Sequence, residues 1–126
     1  MKRQPLNSNI IWRPDMELEK AWCRETAHPS YQSQWSADNP SMGQCLVTAL
    51  IIQDKYGGDI YSCKVGSNSH FINIINERII DKTAEQFGGS DKIKYLSGSF
   101  RQRARESLLK NKDTRRRYEL LKSRIK

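Results

Sequence analysis

Apolar and polar positions follow two different periods along this chain, and the change of period predicts helices, then strands, then helices again. Between Asp15 and Thr26 the apolar residues recur at roughly helical spacing, which predicts a first helix with Asp15 as its N-cap. A second helix is expected from Met42 to Lys55, where apolar residues cover most of the circumference and therefore indicate burial. Residues 27–43, between these helices, are rich in Ser, Pro, Asn and Asp and predict a long loop.

Three short strands are expected after the second helix, in runs that alternate or are rich in β-branched residues. They are Asp59–Val65, His70–Ile75 and Arg78–Lys82. The dipeptide Asn76-Glu77 between the last two suits a two-residue hairpin loop. With that loop, His70 and Asp81 fall on the same face of the hairpin, because side chains alternate along a strand.

The remainder of the chain is expected to return to helix. A short helical turn is predicted at Thr83–Phe87, with Thr83 as its cap and Gln86 completing a capping box. From Ser99 onward an apolar stripe at helical spacing predicts two helices, broken at residues 111–114, with their arginines on the opposite, exposed face.

These elements predict a single α+β domain, with a small antiparallel sheet packed on a buried helix that carries Cys45 at its N-terminus. We expect residues 1–11 to form a flexible arm, residues 15–98 to form the core and residues 99–126 to form a basic helical element. A length of 126 residues suits one modest hydrophobic core.

The positive charge of the chain is confined to its last fifth. Residues 101–126 hold eleven of the 22 basic residues and three of the 14 acidic residues, so the whole net charge of +8 lies there. A cluster of Lys and Arg on helices can contact phosphates, which makes nucleic acid a conceivable partner. No aromatic residues are interleaved with the arginines, and we favour a solvated amphipathic helix pair instead.

Other classes of protein fit the composition poorly. No apolar run approaches the ~18 residues that a membrane span requires, and the start of the chain lacks the features of a signal peptide, so we expect a cytoplasmic protein with no membrane contact. Three cysteines without a CxxC spacing, and only two histidines, favour neither a disulfide framework nor a metal site. We expect no cofactor.

The candidate chemistry centres on Cys45, which lies between a Pro/Gly turn and the buried helix. A helix N-terminus and a nearby imidazole both stabilise a thiolate. His70 is the expected base, and Asp81 is the carboxylate expected to orient it, which completes a Cys-His-Asp triad. The competing interpretation is a buried structural thiol, since free cysteine is among the most buried residue types.

The order of cysteine on a helix, histidine on a strand and aspartate on the next strand resembles that of papain-like and transglutaminase-like thiol enzymes. The chain as a whole resembles the YunG family of small bacterial proteins. The matching segments are NPSMGQCLVTALIIQDKYGGDI (39–60), HFIN (70–73), IIDKTAEQF (79–87) and TRRRYELL (114–121), with Trp22, Glu25-Thr26 and Trp35. The chain departs from the family pattern at Met42 and Lys82.

The papain-like resemblance implies a side-chain amide that stabilises the oxyanion, at the position six residues before the cysteine. That position is Asn39, and Gln44 is a competing candidate. The backbone N–H of Cys45 would be the second donor. Trp35 is either a loop anchor or a wall of the substrate cleft.

The expected function is that of a cysteine-dependent hydrolase or acyltransferase, acting on an amide, ester or thioester of a peptide-like or acyl substrate. The alternative is a non-catalytic binding module that uses the basic C-terminal helices to contact nucleic acid or a protein partner. Substrate, oligomeric state and the choice between hydrolysis and transfer stay open.

Overall fold

The computed structural model describes residues 4–5, 18–66, 68–88 and 100–125. The α-helices are α1 (Leu18–Ala21), α2 (Cys45–Tyr56), α3 (Arg105–Leu109) and α4 (Lys112–Arg124). The strands are β1 (Gln4–Pro5), β2 (Asp59–Val65), β3 (Asn68–Ile75), β4 (Arg78–Ile80) and β5 (Arg101–Arg103). Three 3₁₀ helices span Arg24–Thr26, Pro29–Gln34 and Ala84–Phe87.

The strands form one sheet in the order β1-β4-β3-β2-β5. Strands β2 to β5 pair antiparallel, and β1 adds a short parallel pairing to β4 at one edge. The predicted α+β class with a small antiparallel sheet is therefore confirmed. Within the described ranges, no helix is long and apolar enough to cross a membrane.

The β3–β4 hairpin has the predicted register. Ile75 pairs with Arg78, and Asn73 pairs with Ile80 two positions further from the turn. The loop residues Asn76 and Glu77 have φ angles of 51° and 67°. Two consecutive left-handed residues match the turn type whose twist suits a tight antiparallel hairpin. This turn fixes the register that carries His70 and Asp81.

Apolar side chains collect in two clusters, as the alternation along β3 predicts. The first contains α2, with Trp22 of the N-terminal region and Leu121 of α4, and Phe71 and Ile75 of β3 pack against it. The second contains Ile72 and Ile74 of β3 with residues 79 and 84. Helix α2 is thus buried against the sheet on one side and α4 on the other, and its buried residues are Val47 to Ile52.

Polar contacts fix the position of α2 within this core. The indole Nε1 of Trp22 donates to the Thr48 hydroxyl at 2.9 Å. On the sheet side, the Asn73 side-chain amide donates to the Ala49 carbonyl at 3.0 Å. Buried polar groups that find partners specify one orientation of the helix.

Several boundaries differ from the sequence prediction. Helix α2 begins at Cys45 and not at Met42, because Gly43 has a φ of 74° and Gln44 is the N-cap. The first predicted helix is reduced to α1 and a separate 3₁₀ turn, and its expected cap Asp15 lies outside the described residues. The predicted loop at 27–43 contains the 3₁₀ helix Pro29–Gln34.

The predictions for the two ends of the chain need correction as well. Gln4–Pro5, within the predicted arm, pairs with β4, while the other residues of that arm lie outside the described ranges. Residues 101–103, predicted as helix, form β5 at the sheet edge beside β2. The break between the two C-terminal helices lies at 110–111, because the Asn111 side chain caps α4 by accepting from the Thr114 N–H at 2.9 Å.

Candidate active site

Cys45 is the first residue of α2, a helix of 12 residues. The first N–H groups of a helix have no acceptor within the helix, and the aligned peptide dipoles place partial positive charge there. Cys45 is half-buried, whereas residues 47–52 in the middle of α2 are buried. The cysteine therefore lies at the partly accessible N-terminal end of a helix whose middle is in the core.

His70 contacts the carboxylate of Asp81 inside the protein. Its Nε2 lies 2.7 Å from Asp81 Oδ2, and the His70 side chain is fully buried. Asp81 directly follows β4, so the hairpin register brings the two residues together across strand ends. Nε2 is engaged by the carboxylate, and the other ring nitrogen, Nδ1, has no hydrogen-bond partner among the described residues.

The environment of His70 determines its charge. Burial alone lowers its pKa, but the hydrogen bond to Asp81 and the influence of the Asp81 and Cys45 charges outweigh burial and raise the pKa to about 10. At neutral pH His70 is therefore an imidazolium. Of the three side chains predicted as a triad, His70 and Asp81 are in direct contact, and Cys45 contributes to the raised pKa of His70.

Cys63 is a second thiol in this neighbourhood. It is buried and pairs directly with His70 across the β2–β3 ladder. Burial, followed by the charges of Asp81 and Cys45, raises its pKa to about 11. A thiol with this pKa is protonated at neutral pH and is a poor nucleophile.

A cavity of about 250 Å³ opens beside Cys45. Its walls come from α2, from the start of β3, from the 3₁₀ helix Ala84–Phe87 and from α4. The lining includes Cys45, Leu46, Phe71, Phe87, His28 and Arg117. Phe87 also packs its ring against His70, with ring centroids 5.0 Å apart and nearly perpendicular planes. The imidazole is thus covered by Phe87, while the thiol is open to the cavity.

Gln86 is a cavity residue whose predicted contact is wrong. No side-chain hydrogen bond caps the helix at Thr83, and the Gln86 side chain instead accepts the Gly43 N–H at 3.0 Å. Gly43 has little room for any other residue, because a Cβ there would lie 3.1 Å from Ala27 Cβ and from Tyr31 Cβ. The glutamine therefore fastens the segment that leads into Cys45.

His28 and Arg117 are cavity residues that sequence reasoning underrated. Arg117 was expected on an exposed face, but it is 1% exposed, donates to Asp113 at 2.7 Å and to the Thr26 carbonyl at 3.2 Å, and lines the cavity. Burial, then the nearby Arg117 charge, lowers the pKa of His28, and Asp113 partly offsets this. At neutral pH His28 is a neutral polar group in the cavity wall.

The three residues predicted to bind the oxyanion or substrate occupy other places. Gln44 is fully buried, and its amide is used within the protein: Oε1 accepts from Thr26 Oγ1 at 2.7 Å, and Nε2 donates to the Cys23 carbonyl at 2.9 Å. Asn39 lies in a turn, with its backbone bonded to Ser36. Trp35 donates its indole N–H to the Pro40 carbonyl at 2.9 Å. Neither Asn39 nor Trp35 contributes to the described walls of the cavity.

The site contains no evident metal centre. Among the described residues, no group of three or more His, Cys, Asp or Glu side chains is arranged to hold a metal ion. The chemistry of the described residues here is that of a thiol, an imidazolium and a carboxylate.

Comparison with known proteins confirms the resemblance to the YunG family and gives no support to the papain-like or transglutaminase-like one. The chain is 39% identical over 82 residues to a protein of Bacillus subtilis (strain 168) that is described as uncharacterized protein YunG, and the match spans 65% of this chain and 67% of that protein. No solved structure matches the chain. The profile of the YunG protein family matches residues 14–126, which include the whole of the site described above, and the chain belongs to this family.

Proposed function

We propose that this protein is a cysteine-dependent hydrolase or acyltransferase in which Cys45 is the nucleophile, His70 the proton carrier and Asp81 the residue that orients His70. The observation that carries the proposal is the buried His70 ring, which is bonded to Asp81 at 2.7 Å and whose pKa is raised by Asp81 and by Cys45. A carboxylate, an imidazole and a nucleophile in this order form the arrangement that activates a thiol.

The charge of His70 supports an ion-pair form of this chemistry. An imidazolium beside a thiol at a helix N-terminus stabilises the thiolate, which is the nucleophilic form. With a pKa of about 10, His70 carries its proton at neutral pH, so that the proton is present for transfer to the leaving group. Asp81 sustains this charge in a place where burial opposes it.

The proposed reaction has two steps. The Cys45 thiolate forms a bond to the carbonyl carbon, the carbonyl π electrons move to oxygen, and the tetrahedral species collapses as the bond to the leaving group breaks and His70 gives that group its proton. The acyl-thioester is then attacked by water or by an acceptor amine or alcohol, whose proton passes to His70 as the thiolate leaves. The choice of second nucleophile separates hydrolysis from transfer.

The arginines of the C-terminal helices favour this proposal over a binding module. Arg117 is buried, Arg116 pairs with Asp113 at 2.8 Å, and Arg115 donates to the Leu109 carbonyl at 2.9 Å. The buried Arg117 is therefore not available to phosphates, and the bonds of Arg115 and Arg116 compete with such contacts. The cavity beside Cys45 also accommodates a small acyl group.

The proposal is tested by trapping the acyl-enzyme. The protein is mixed with p-nitrophenyl acetate at neutral pH, release of p-nitrophenolate is followed in the first turnover, and intact and peptide mass spectrometry locate the acetyl group. We expect a burst of one equivalent, with acetyl on Cys45. The burst should disappear in Cys45→Ser and decline strongly in His70→Gln, whose fold is checked by circular dichroism.

Cys23→Ser is the matched control, because Cys23 is also a partly exposed thiol but lies at the cap of the 3₁₀ helix Arg24–Thr26. The burst should persist in this variant. Acetylation of Cys23 or Cys63 at the rate of Cys45, or a burst that survives Cys45→Ser, would contradict the proposal.

A further inference from the structure

The walls of the cavity beside Cys45 combine an apolar part with an uncharged polar part. Three apolar side chains line it, Leu46 of α2, Phe71 of β3 and Phe87 of the 3₁₀ helix Ala84–Phe87, and each is only half-buried in the folded protein. The exposed residues that line the cavity are polar but uncharged and include Ser30, Asn68 and Ser69. Apolar side chains that the protein covers incompletely favour a ligand that removes them from water.

The apolar side chains lie near the residues of the proposed reaction. Leu46 directly follows Cys45 in the first turn of α2, and both residues line the cavity. Phe71 is the neighbour of His70 in β3, and Phe87 packs its ring against the His70 ring with the centroids 5.0 Å apart. An acyl chain that extends from Cys45 into the cavity therefore meets apolar side chains, and its burial contributes in proportion to the apolar area removed from water.

The cavity offers no accessible partner for a charged acyl group among the described residues. Its one lining residue with a permanent charge is Arg117, which is 1% exposed. Arg117 Nε donates to Asp113 and Nη1 donates to the Thr26 carbonyl, so this cation is already paired within the protein. Burial of a charge without a partner is strongly unfavourable. The walls therefore favour an uncharged acyl chain over one that carries a carboxylate or an ammonium group.

The size of the cavity limits the size of this acyl group. Its volume of about 250 Å³ is below the ~300–1,000 Å³ of the pockets that hold drug-sized ligands. The cavity is therefore suited to an acyl chain of a few carbons and not to a bulkier group.

We propose that this cavity is an acyl-binding pocket for short, uncharged, apolar acyl chains, and that Leu46, Phe71 and Phe87 determine this specificity. The inference rests on the proposed function and names its class of substrate. In the acylation step the Cys45 sulfur bonds to the acyl carbon, and the leaving group departs with the electron pair of the broken bond and takes its proton from His70. The acyl chain occupies the pocket as the thioester forms.

The test follows acylation of Cys45 at neutral pH by p-nitrophenyl esters of acetate, butyrate and hexanoate and by the mono-ester of adipate, with the acyl group located by peptide mass spectrometry. Each second-order rate constant is divided by that of the same ester with N-acetylcysteine, which corrects for the intrinsic reactivity of the ester. We expect the corrected constant to rise about fourfold for each methylene that is buried, the equivalent of about 0.8 kcal/mol. The adipate ester, in which a carboxylate replaces the terminal methyl of hexanoate, should react at least about tenfold more slowly than hexanoate.

Leu46→Gln tests the wall itself, because glutamine is similar in length and suits a helix but is polar. The ratio of the hexanoate rate to the acetate rate cancels any change in the reactivity of the thiol, and it should fall at least about fourfold, the equivalent of one buried methylene. Leu120→Gln is the matched control, since Leu120 is also half-buried in a helix but does not line the described cavity. Its ratio should equal that of the wild type. Near-UV circular dichroism checks the fold of both variants.

The outcomes separate this inference from the proposed function. If Cys45 is acylated but the corrected constants do not rise from acetate to hexanoate, the cavity is not an acyl-binding pocket, while the thiol mechanism stands. A faster reaction with the adipate ester than with hexanoate would also overturn the inference, because it would assign an anionic acyl group to the cavity. An unchanged ratio in folded Leu46→Gln, or an equal fall in Leu120→Gln, would show that Leu46 does not determine the specificity. If none of the esters acylates Cys45, both the inference and the proposed function are overturned.

Discussion

Cys63 lies directly opposite His70 in the β2–β3 ladder, yet at neutral pH the Cys63 side chain is neutral and the His70 side chain is charged. Burial raises the pKa of the Cys63 thiol to about 11, while the partners of His70 hold its pKa at about 10. At neutral pH a neutral thiol therefore lies next to a charged imidazolium. Proximity to the histidine does not by itself make a cysteine reactive.

Cys63 should accordingly be inert in the native protein. With iodoacetamide at neutral pH, we expect peptide mass spectrometry to find Cys45 modified and Cys63 unmodified until the protein is unfolded in urea. Cys63→Ala should leave the alkylation rate of Cys45 close to that of the wild type. Rapid native labelling of Cys63 would mean that its burial and high pKa are not those of the protein in solution.

The His70–Asp81 pair predicts a pH dependence of stability. The folded-state pKa of His70 is about 10, above the ordinary value of about 6.5. A raised pKa gives a stabilising contribution that is complete below pH 6.5 and is lost as the pH rises towards 10. The free energy of unfolding, measured in urea across this range, should therefore decline with pH in the wild type.

Asp81→Asn isolates the contribution of the pair, since it removes the carboxylate and keeps a side chain of similar shape. Burial then acts on His70 without the opposing charge, so the decline in unfolding free energy between pH 6.5 and 10 should become much smaller. An equally steep decline in this variant would assign the pH dependence to other groups.

Arg117 should matter far more for stability than its neighbour Arg116. Arg117 is 1% exposed and connects Asp113 to the Thr26 carbonyl, whereas the Arg116 side chain is 59% exposed. We expect Arg117→Met to lower the free energy of unfolding by about 2 kcal/mol, because it leaves the buried Thr26 carbonyl without this donor and breaks the contact with Asp113. Arg116→Met, the matched control, should cost about 0.5 kcal/mol.

Urea unfolding of both variants at one pH checks this difference. Equal effects of the two substitutions would indicate that Arg117 is solvated in the way that the sequence pattern predicted.

The turn between β3 and β4 offers a stabilising substitution. Glu77 has a φ of 67° and is exposed, and a left-handed conformation is costly for a residue with a Cβ but not for glycine. Glu77→Gly should raise the free energy of unfolding by about 0.5–1 kcal/mol, since Asn-Gly is the preferred sequence of this turn.

Glu119→Gly makes the same replacement at a helical position, where the expected change in the free energy of unfolding has the opposite sign. It places glycine inside α4 and should cost about 1 kcal/mol. Destabilisation by both substitutions would show that Glu77 is not held in the left-handed region in solution.

The hairpin could be predicted from sequence because its determinants are local. A two-residue loop at Asn76-Glu77 leaves one register, and that register is the one found. The start of α2 was less predictable, since the conformation of Gly43 depends on the space left by Ala27 and Tyr31. Local patterns specify strands and turns well, and they specify helix ends less well when a distant segment decides them.

The contacts that complete the candidate site cannot be predicted from local sequence patterns. Gln86 binds a backbone group 43 positions earlier in the chain, and Arg117 binds one 91 positions earlier. Neither contact has a local signature, and both residues sat in patterns that favoured a simpler interpretation, a capping box and an exposed helix face. Their pairing is set by the tertiary fold.

The position of Arg117 in the cavity wall has a consequence for how the protein matures during synthesis. The thiol-bearing helix is made early, but the wall that faces it is incomplete until α4 has been translated and has docked through Tyr118 and Leu121. A nascent chain that has passed Cys45 but has not reached Arg117 holds the cysteine without its enclosure. The order of translation therefore delays assembly of the cavity until nearly all of the described chain has emerged.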